Sequence, residues 1–516
     1  MTIKNALYLV PLVGLTVAAF PAAAHADCPA VLAALGDRVA DATCVDSPDL
    51  TTANPATTPA DNSIAGLPTG AFTPTTDRNV ISPDAPDRTP ITRAVPGLQV
   101  RGRFADDPTG QARFLLRLPA DWNGRLVVAG ASGTRSEDNG DFAWSDHVLQ
   151  RGYAYASQNK GVLNLEIVSL ASPTAPDATS CRLNPASQVW VRFFDDAADK
   201  PFTQWTQYML EDARLAHRAV AAQYHRRARF TYAVGTSNGG YQVRRAVEEA
   251  PELFDGGVDW EGTFIDPRGP NLLIDLPPAI ANFPAYAASG FDPSSLAARN
   301  IVAAGYPPDL VTGTTSLWGL YWGQFWEVTQ CQWQKRFDPA ATTYHGGVND
   351  IDGTGGYDYA GRAAADPAIA RRLAQVATTG KIHRPLITVA GTMDALLPID
   401  RGARAYEALV RRAGCDGHGH GHDDCDDDRG HGHGDDRRDR PEYRLYEVQN
   451  GNHIETFRRT FPQLELIQPH AQRAFDLLVD HVEHRAQLPP SQCVARGGAI
   501  ADRPAQRGHC AQLLAP

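Results

Sequence analysis

Ser237 lies in a sequence pattern that is typical of a catalytic nucleophile. Residues 235–239 read Gly-Thr-Ser-Asn-Gly, which satisfies the G-x-S-x-G pattern. The pattern follows an apolar run at 230–234 and precedes a helical pattern at 241–250, and this strand–turn–helix context is what the motif requires. Glycines on both sides relieve the clashes of a sharp, strained turn. We therefore predict that Ser237 is a nucleophile, the alternative being a Gly-Ser turn without chemistry.

A serine hydroxyl needs a base to take its proton and a carboxylate to orient that base. On this kind of turn the chain order is serine, then acid, then histidine. Asp394 follows a predicted strand at 385–390, and His453 follows another that ends at Val448. We predict that Asp394 orients His453. The alternatives are a turn-capping aspartate with Asp400 as the rival acid, and a surface-loop histidine.

Two backbone N–H groups are needed to bind the oxyanion that forms during acyl transfer. The first is expected from Asn238, directly after the nucleophile. The second is expected from the turn after residues 126–129, where Gly130, Ala131 and Ser132 are candidates and Ala131 is our choice. Glu261 follows a further predicted strand and is expected to contact the substrate or to support the site, although it fits a capping role equally well.

Strands that alternate with helices must position these groups. This order predicts an α/β fold with a mostly parallel, doubly wound sheet. A hairpin at 98–118 precedes it. The predicted strands are 125–129, 153–157, 230–234, 256–260, 385–390 and 443–448, and the predicted helices are 205–224, 241–250, 400–412 and 470–484.

The alternation stops between residues 266 and 380, where four of the nine tryptophans lie. We predict that this segment is a cap inserted into the sheet domain. Trp322 and Trp326 are expected to bind the substrate, the alternative being that the rings only form the core of the cap.

The rest of the chain divides by composition. Residues 1–26 carry Lys4, an apolar stretch and the Ala24-His25-Ala26 sequence, which together predict a signal peptide. We expect an irregular N-terminal arm at 27–95, a sheet domain in two parts (96–265 and 381–485) and a disulfide-linked tail at 486–516. The destination of the mature chain is therefore predicted to be the periplasm or the medium.

All eight cysteines follow the predicted cleavage site, and an even number in an exported chain favours disulfides. The expected pairs are Cys28–Cys44, Cys415–Cys425, Cys493–Cys510 and Cys181–Cys331. The segment 414–440 is rich in histidine and aspartate, but it lacks the defined spacing of a metal site. We interpret it as a flexible acidic loop, the alternative being loose metal binding by its histidines that is unrelated to catalysis, and we predict neither a catalytic metal nor a cofactor.

The chain of 516 residues has a net charge of −11. An acidic surface repels phosphate backbones, so nucleic acid is not an expected partner. No stretch after the signal reaches the apolar length of a membrane span. The expected partner is a small or oligomeric ester, and the sequence leaves the oligomeric state open.

Three segments resemble the tannase and feruloyl esterase group of α/β hydrolases: Asn123 to Gly130, Gln150 to Ser157 and Val234 to Gly240. The Ser-Asn-Gly-Gly turn and the segment 391–398 also resemble secreted 3-hydroxybutyrate oligomer hydrolases. The resemblance implies an α/β-hydrolase serine esterase with a cap over the site. Tannase-type enzymes carry a disulfide between cysteines just before the serine and the histidine. Here those positions hold Thr236 and Asn452.

Taken together, the sequence predicts an exported serine hydrolase that cleaves carboxylic esters through an acyl-enzyme. The expected substrate is a hydroxyalkanoate oligomer or an aromatic ester of the feruloyl type. Two alternatives stay open at this stage, namely an exported serine peptidase on the same fold and a non-catalytic binding protein.

Overall fold

The computed structural model describes residues 27–58, 77–79, 81–133, 135–162, 166–177, 180–192, 202–341, 356–416 and 441–516. The predicted signal peptide and most of the histidine-rich segment lie outside these residues. No helix within the described ranges has the length and apolar composition needed to cross a membrane.

The dominant element is a sheet of eleven strands in the order β1-β2-β3-β5-β4-β9-β10-β13-β14-β15-β16. The strands from β5 to β15 in that order run parallel, and antiparallel strands flank them on both sides. The strands are β1 Val39–Ser47, β2 Gly97–Phe104, β3 Arg113–Pro119, β4 Arg125–Gly130, β5 Ala154–Gln158, β6 Glu166–Ser169, β7 Cys181–Arg182, β8 Trp190–Arg192, β9 Phe230–Thr236, β10 Gly256–Trp260, β11 Val311–Thr312, β12 Thr315–Ser316, β13 Leu386–Gly391, β14 Tyr443–Val448, β15 Gln492–Val494 and β16 Gln506–Arg507.

Helices cover both faces of this sheet. Successive side chains of a strand point to opposite faces, so Leu126 and Val128 of β4 join one apolar core while Val127 and Ala129 join the other. The helices are α1 Cys28–Leu35, α2 Asp146–Leu149, α3 Thr203–Tyr224, α4 Asn238–Glu249, α5 Leu272–Ala288, α6 Leu296–Ala303, α7 Leu317–Tyr321, α8 Glu327–Phe337, α9 Tyr359–Ala365, α10 Pro367–Val376, α11 Ala403–Asp416 and α12 Gln468–His484. Helices α3 and α4 pack on the first core, and α2 and α12 pack on the second. The predicted α/β architecture is therefore confirmed.

Helices α5 to α8 form a separate apolar core together with residues that follow the ends of β10, β13 and β14, namely Ile265, Met393 and Ile454. Trp318, Trp326 and Trp333 are buried in it, and residues 322–326 continue from α7 to α8 as one turn of π-helix. A small antiparallel sheet of β6, β7 and β8 joins this region through the Cys181–Cys331 disulfide. The sequence did not predict that residues 166–192 belong beside the cap.

The chain ends are more regular than predicted. The irregular arm expected at 27–95 is wrong in its first part, because α1 and β1 form there and β1 pairs with β2 at the edge of the sheet. In the tail, β15 pairs with β14 and β16 pairs with β15. Three expected disulfides are confirmed: Cys28–Cys44, Cys181–Cys331 and Cys493–Cys510. Cys425 lies outside the described residues.

Candidate active site

Ser237 stands on a tight turn between β9 and α4. Its backbone adopts a φ of 58°, which is rare for a residue with a side chain, and its N–H donates to the carbonyl of Trp260 at 2.9 Å. A Cβ atom on Gly235 would lie 2.3 Å from the carbonyl oxygen of Gly239, and a Cβ on Gly239 would lie 2.1 Å from that of Gly130. Because neither position has room for a side chain, the two glycines permit the sharp turn that the motif predicts.

The predicted acid and base meet beside this turn. His453 Nδ1 and Asp394 Oδ2 are 2.8 Å apart, and both side chains are buried. The second oxygen of Asp394 accepts the backbone N–H groups of Leu396 and Leu397 at 2.7 and 2.8 Å. A ring held through Nδ1 presents Nε2 to a nucleophile. The rival acid Asp400 is half-exposed and pairs with Arg404, a short distance along the chain.

Ser237 and His453 line the same cavity, which has a volume of about 390 Å³. Most of its wall is apolar. The wall comes from the sheet edge, from the cap and from strands β6 to β8, and it includes Ile81, Ile167, Leu183, Val189, Val191, Leu272, Phe325, Trp333, Leu396, Leu397, Ile454 and Phe457. The cap and the small sheet thus enclose a space next to the serine that is large enough for a small organic molecule.

The turn predicted to stabilise the oxyanion lies at the end of β4, opposite the first turn of α4. Asn238, Ser132 and Gly133 line the cavity, whereas Ala131 is not among its lining residues. The N–H of Ser132 donates to Asn139 Oδ1 at 3.0 Å. The contribution of the Asn238 and Ala131 N–H groups to an oxyanion site stays a prediction.

Lys160 supports this turn from behind, and sequence reasoning missed it. Its buried ammonium group donates to the carbonyls of Ala131 and Ser132 at 2.8 and 3.3 Å. Burial lowers the pKa of Lys160 to about 7. Its backbone φ of 64° is also unusual. Lys160 lies two residues after the end of β5. Nothing in the local sequence indicates that its side chain reaches the end of the neighbouring strand β4.

The three residues predicted to contact the substrate are not part of the cavity wall. Glu261 is buried against His453, with its Oε2 3.4 Å from Nδ1 of the ring. Trp326 is buried in the cap core and donates to the carbonyl of Ala395. Trp322 stacks on Phe283. None of the three is among the residues that line the cavity. The position of Glu261 fits an acid that supports the site, and the positions of Trp322 and Trp326 fit the core of the cap.

The loop before His453 is fixed by a contact from the cap. The side chain of Asn452 accepts a hydrogen bond from the Tyr321 hydroxyl at 2.9 Å and donates to the carbonyl of Ile454 at 3.0 Å. A hydrogen bond to α7 therefore holds the loop that carries the histidine.

Within the described chain, Glu261, Asp394 and His453 form the group whose ligand atoms are close enough to hold a metal ion, all within 4.8 Å of one another. The hydrogen bond between His453 Nδ1 and Asp394 already uses two of these atoms. The expectation that the site works without a metal stays a prediction.

No protein-family model matches the chain. A D-(-)-3-hydroxybutyrate oligomer hydrolase of Ralstonia nicotianae is 31% identical over 153 residues, which is 28% of this chain and 18% of that protein. A mono(2-hydroxyethyl) terephthalate hydrolase of Piscinibacter sakaiensis is 28% identical over 148 residues, which is 29% of this chain and 23% of that protein. The matches thus span about a fifth of the length of these relatives.

Solved structures extend the likeness over most of the chain. An esterase from Aspergillus oryzae aligns with 87% of each chain at a TM-score of 0.50 and 13% identity. Feruloyl esterase B from the same species aligns with 87% of each chain at a TM-score of 0.46 and 13% identity. The chain has the α/β-hydrolase fold. The resemblance to 3-hydroxybutyrate oligomer hydrolases stated from the sequence is confirmed by relatives of that name.

Proposed function

We propose that this protein is an exported serine hydrolase of carboxylic esters in which Ser237, His453 and Asp394 form the catalytic triad. The observation that carries the proposal is the buried hydrogen bond of 2.8 Å between His453 Nδ1 and Asp394, beside the cavity that Ser237 also lines. A fixed imidazole next to a serine on a strained turn is the arrangement that activates a hydroxyl group.

The reaction follows from the roles of these groups. His453 Nε2 accepts the hydroxyl proton as Ser237 Oγ bonds to the ester carbon, and the carbonyl electron pair moves to the oxygen. The N–H groups of Asn238 and of the turn after β4 stabilise this oxyanion. When the oxyanion collapses, the alcohol leaves with the proton from Nε2 and an acyl-enzyme stays on Ser237. Water then repeats the sequence and releases the acid.

The cavity wall indicates what kind of ester fits. It is mostly apolar, and the rings of Phe325, Trp333 and Phe457 contribute to it. These rings suit an aryl group or an apolar acyl chain. The names of the relatives cover a hydroxybutyrate oligomer and a terephthalate monoester. We propose that the substrate is a short hydroxyalkanoate oligomer or an aromatic ester.

Export is supported by the three disulfides, since disulfides persist in oxidising compartments. Expression of the full chain in a bacterial host tests this part of the proposal. The N-terminal sequence of the protein outside the cytoplasm is expected to begin at Asp27. A chain that stays in the cytoplasm with Met1 intact would contradict export without affecting the catalytic assignment.

A fluorophosphonate probe tests the nucleophile. Mass spectrometry of the labelled protein is expected to place the phosphonyl group on Ser237, and Ser237→Ala is expected to abolish both labelling and ester turnover. Ser136→Ala is the matched control, since this buried serine bonds to Asp77 and is not among the residues that line the cavity. A label on any other residue would overturn the proposal.

A substrate panel then sharpens the class. It contains 3-hydroxybutyrate dimer, methyl ferulate, mono(2-hydroxyethyl) terephthalate, p-nitrophenyl butyrate and a peptide anilide. Turnover of one or more esters well above the anilide supports esterase activity. Faster cleavage of the anilide would instead identify a peptidase that uses the same triad.

A further inference from the structure

Two carboxyl groups, rather than one, face the imidazole of His453. Asp394 Oδ2 lies 2.8 Å from Nδ1, and Glu261 Oε2 lies 3.4 Å from the same atom. Both acids are buried. Glu261 directly follows the parallel strand β10, and Asp394 lies three residues after the parallel strand β13. The site therefore contains one acid more than a catalytic triad needs.

The backbone of Glu261 is held in an unusual conformation that directs its side chain to this place. Its φ is 51°, a region that residues with side chains rarely adopt. Its N–H donates to the carbonyl of Val389 in β13, and its Oε1 accepts the N–H of Gly391 at 2.8 Å. Strain of this kind persists only where the surrounding contacts over-determine it. Here the contacts to β13 are those that bring the second oxygen to the imidazole.

The surroundings of Glu261 favour its neutral form. Burial, then the nearby charge of Asp394, raises the pKa of Glu261 well above its usual value. The carboxyl group of Glu455 adds to this effect, while the Gly391 N–H and the Trp260 indole oppose it. Asp394 Oδ1 accepts two backbone N–H groups, whereas Glu261 Oε1 accepts one. A nearby like charge disfavours the charged form of a buried carboxyl.

We propose that Glu261 is a positioning residue that acts as a reserve carboxyl for His453. While Asp394 is present, Glu261 is neutral and leaves the ring with a single anionic partner. When the charge of Asp394 is removed, Glu261 loses its proton to solvent and holds the Nδ1–H of His453 in place of Asp394. The inference rests on the proposed function, because it assigns Glu261 a role through the same imidazole.

Comparison of four proteins tests this role: the wild type, Asp394→Asn, Glu261→Gln and the double variant. Replacing the triad aspartate by asparagine costs roughly 10⁴ in kcat where the ring is left in the wrong tautomer. Here Glu261 is available as an acceptor, so we expect Asp394→Asn alone to lower kcat by only about 10–100-fold. The double variant has no carboxylate at the ring and should show the full loss of roughly 10⁴.

Glu261→Gln alone keeps a neutral side chain of the same shape, and we expect its kcat to fall by about tenfold or less with little change in KM. The loss in the double variant should therefore be much greater than the product of the two single losses. Ester turnover and the rate of Ser237 labelling by a fluorophosphonate measure this coupling. Thermal unfolding of each variant checks that the fold is retained.

The pH profile supplies a readout that a merely structural acid would not change. In Asp394→Asn, kcat should rise with pH as Glu261 ionises, and this rise should be absent from the double variant. The titratable groups that act on Glu261 in this variant are His453 and Glu455, and the nearby Tyr321 is buried and neutral because burial raises its pKa.

Equal activity of Asp394→Asn and the double variant would overturn the role of Glu261, as would strictly multiplicative losses. These results would leave the proposed function intact, provided that the probe still labels Ser237 in the wild type. Failure of the wild type to label at Ser237 would instead contradict the proposed function itself. The two failures are thus distinguishable in one set of measurements.

Discussion

Two clusters of buried charged groups differ in their balance of acids and bases. The arm cluster, defined here as Arg78, Arg101, Arg117, Glu137, Asp138 and Asp141, packs three arginines against three acids. The catalytic cluster, defined as Glu261, Asp394 and His453, packs two acids against one imidazole.

The two clusters also differ in the cations that oppose the effect of burial. In the arm cluster, burial raises the pKa of Asp141, but the charges of Arg117 and Arg78 outweigh it and hold that pKa below its usual value. Burial and the charge of Asp138 raise the pKa of Glu137 to about 6, although the charge of Arg101 opposes them. In the catalytic cluster, burial and a like charge both raise the pKa of Glu261. A balanced cluster is expected to serve the fold, whereas an acid without a cation beside an imidazole is expected to serve chemistry.

Replacing the imidazole should give the largest effect. In His453→Gln no base remains to take the Ser237 proton, so kcat should fall by roughly 10⁴ or more. Ester turnover and fluorophosphonate labelling measure the loss. His481→Gln is the control, because His481 bonds to the carbonyl of Ala486 at the far end of α12. A His453 variant within tenfold of the wild type would contradict the assignment of the base.

Breaking the arm cluster should instead destabilise the fold. Arg117→Met leaves Asp141 without the 2.6 Å contact to Arg117 Nη1, and loss of one partner of a buried pair costs about 3–5 kcal/mol of unfolding free energy. Urea unfolding measures this cost, and kcat per folded molecule should change by less than about threefold because the cluster touches no reacting atom.

The matched control for Arg117 is an exposed ion pair. Arg103 pairs with Asp41, whose side chain is largely open to solvent, while that of Arg103 is partly exposed. Arg103→Met should therefore cost less than about 1 kcal/mol. If Arg103→Met and Arg117→Met lowered the unfolding free energy equally, burial would not determine how much an ion pair contributes to stability. The contrast between the two clusters would then lose its physical basis.

The sequence predicts the catalytic elements because each of them is encoded locally. The glycines around Ser237 and the apolar runs before Asp394 and His453 are visible without knowledge of distant contacts. Parallel strand ends meet at one edge of a sheet, so three local signals suffice to bring the groups together. The hydrogen bond of 2.8 Å between Asp394 and His453 agrees with this reasoning.

The remaining features depend on contacts between distant parts of the chain. Lys160 and Ala131 are 29 residues apart, and no periodicity relates them. Strand β1 lies at the sheet edge, and Ser47 is the one of its nine residues that is buried, so its sequence carries little apolar signal. Residues 166–192 join the cap through Cys181 and Cys331, which are 150 residues apart. The sequence predicts this disulfide only as the pair left over from the three local ones, and it does not place strands β6 to β8 beside the cap.

Glu455, an acid close to the catalytic cluster, should make stability depend on pH. Burial raises the pKa of Glu455 to about 8 from 4.5. Because the folded-state pKa is raised, the stabilising contribution is complete below pH 4.5 and is lost as the pH rises to about 8.

The isosteric variant Glu455→Gln removes this titration. Its unfolding free energy should therefore decline less than that of the wild type between pH 5 and pH 8, with a difference of up to a few kcal/mol. Urea unfolding at both pH values measures the difference. Glu252→Gln, at an exposed position, should follow the wild type. Parallel curves for Glu455→Gln and the wild type would contradict a raised pKa.

A smaller effect on kcat than that of His453→Gln is expected at Lys160, a buried residue outside both clusters. Its ammonium donates to Ala131 and Ser132, in the turn expected to hold the oxyanion. Lys160→Met leaves both carbonyls without this donor, and the turn should relax away from its functional geometry. We expect kcat to fall by roughly 10–100-fold with little change in KM, which is less than the loss of one complete oxyanion donor.

Binding measurements separate this effect from simple destabilisation. A boronic acid that mimics the tetrahedral intermediate should bind Lys160→Met more weakly by about the same factor as kcat falls, whereas the product acid should bind almost as well as to the wild type. The exposed Lys381→Met is the control. Equal weakening of both ligands would mean that Lys160 only stabilises the fold. Lys160 would then serve the fold, as the arm cluster is expected to do, although it lies directly behind the turn that faces the serine.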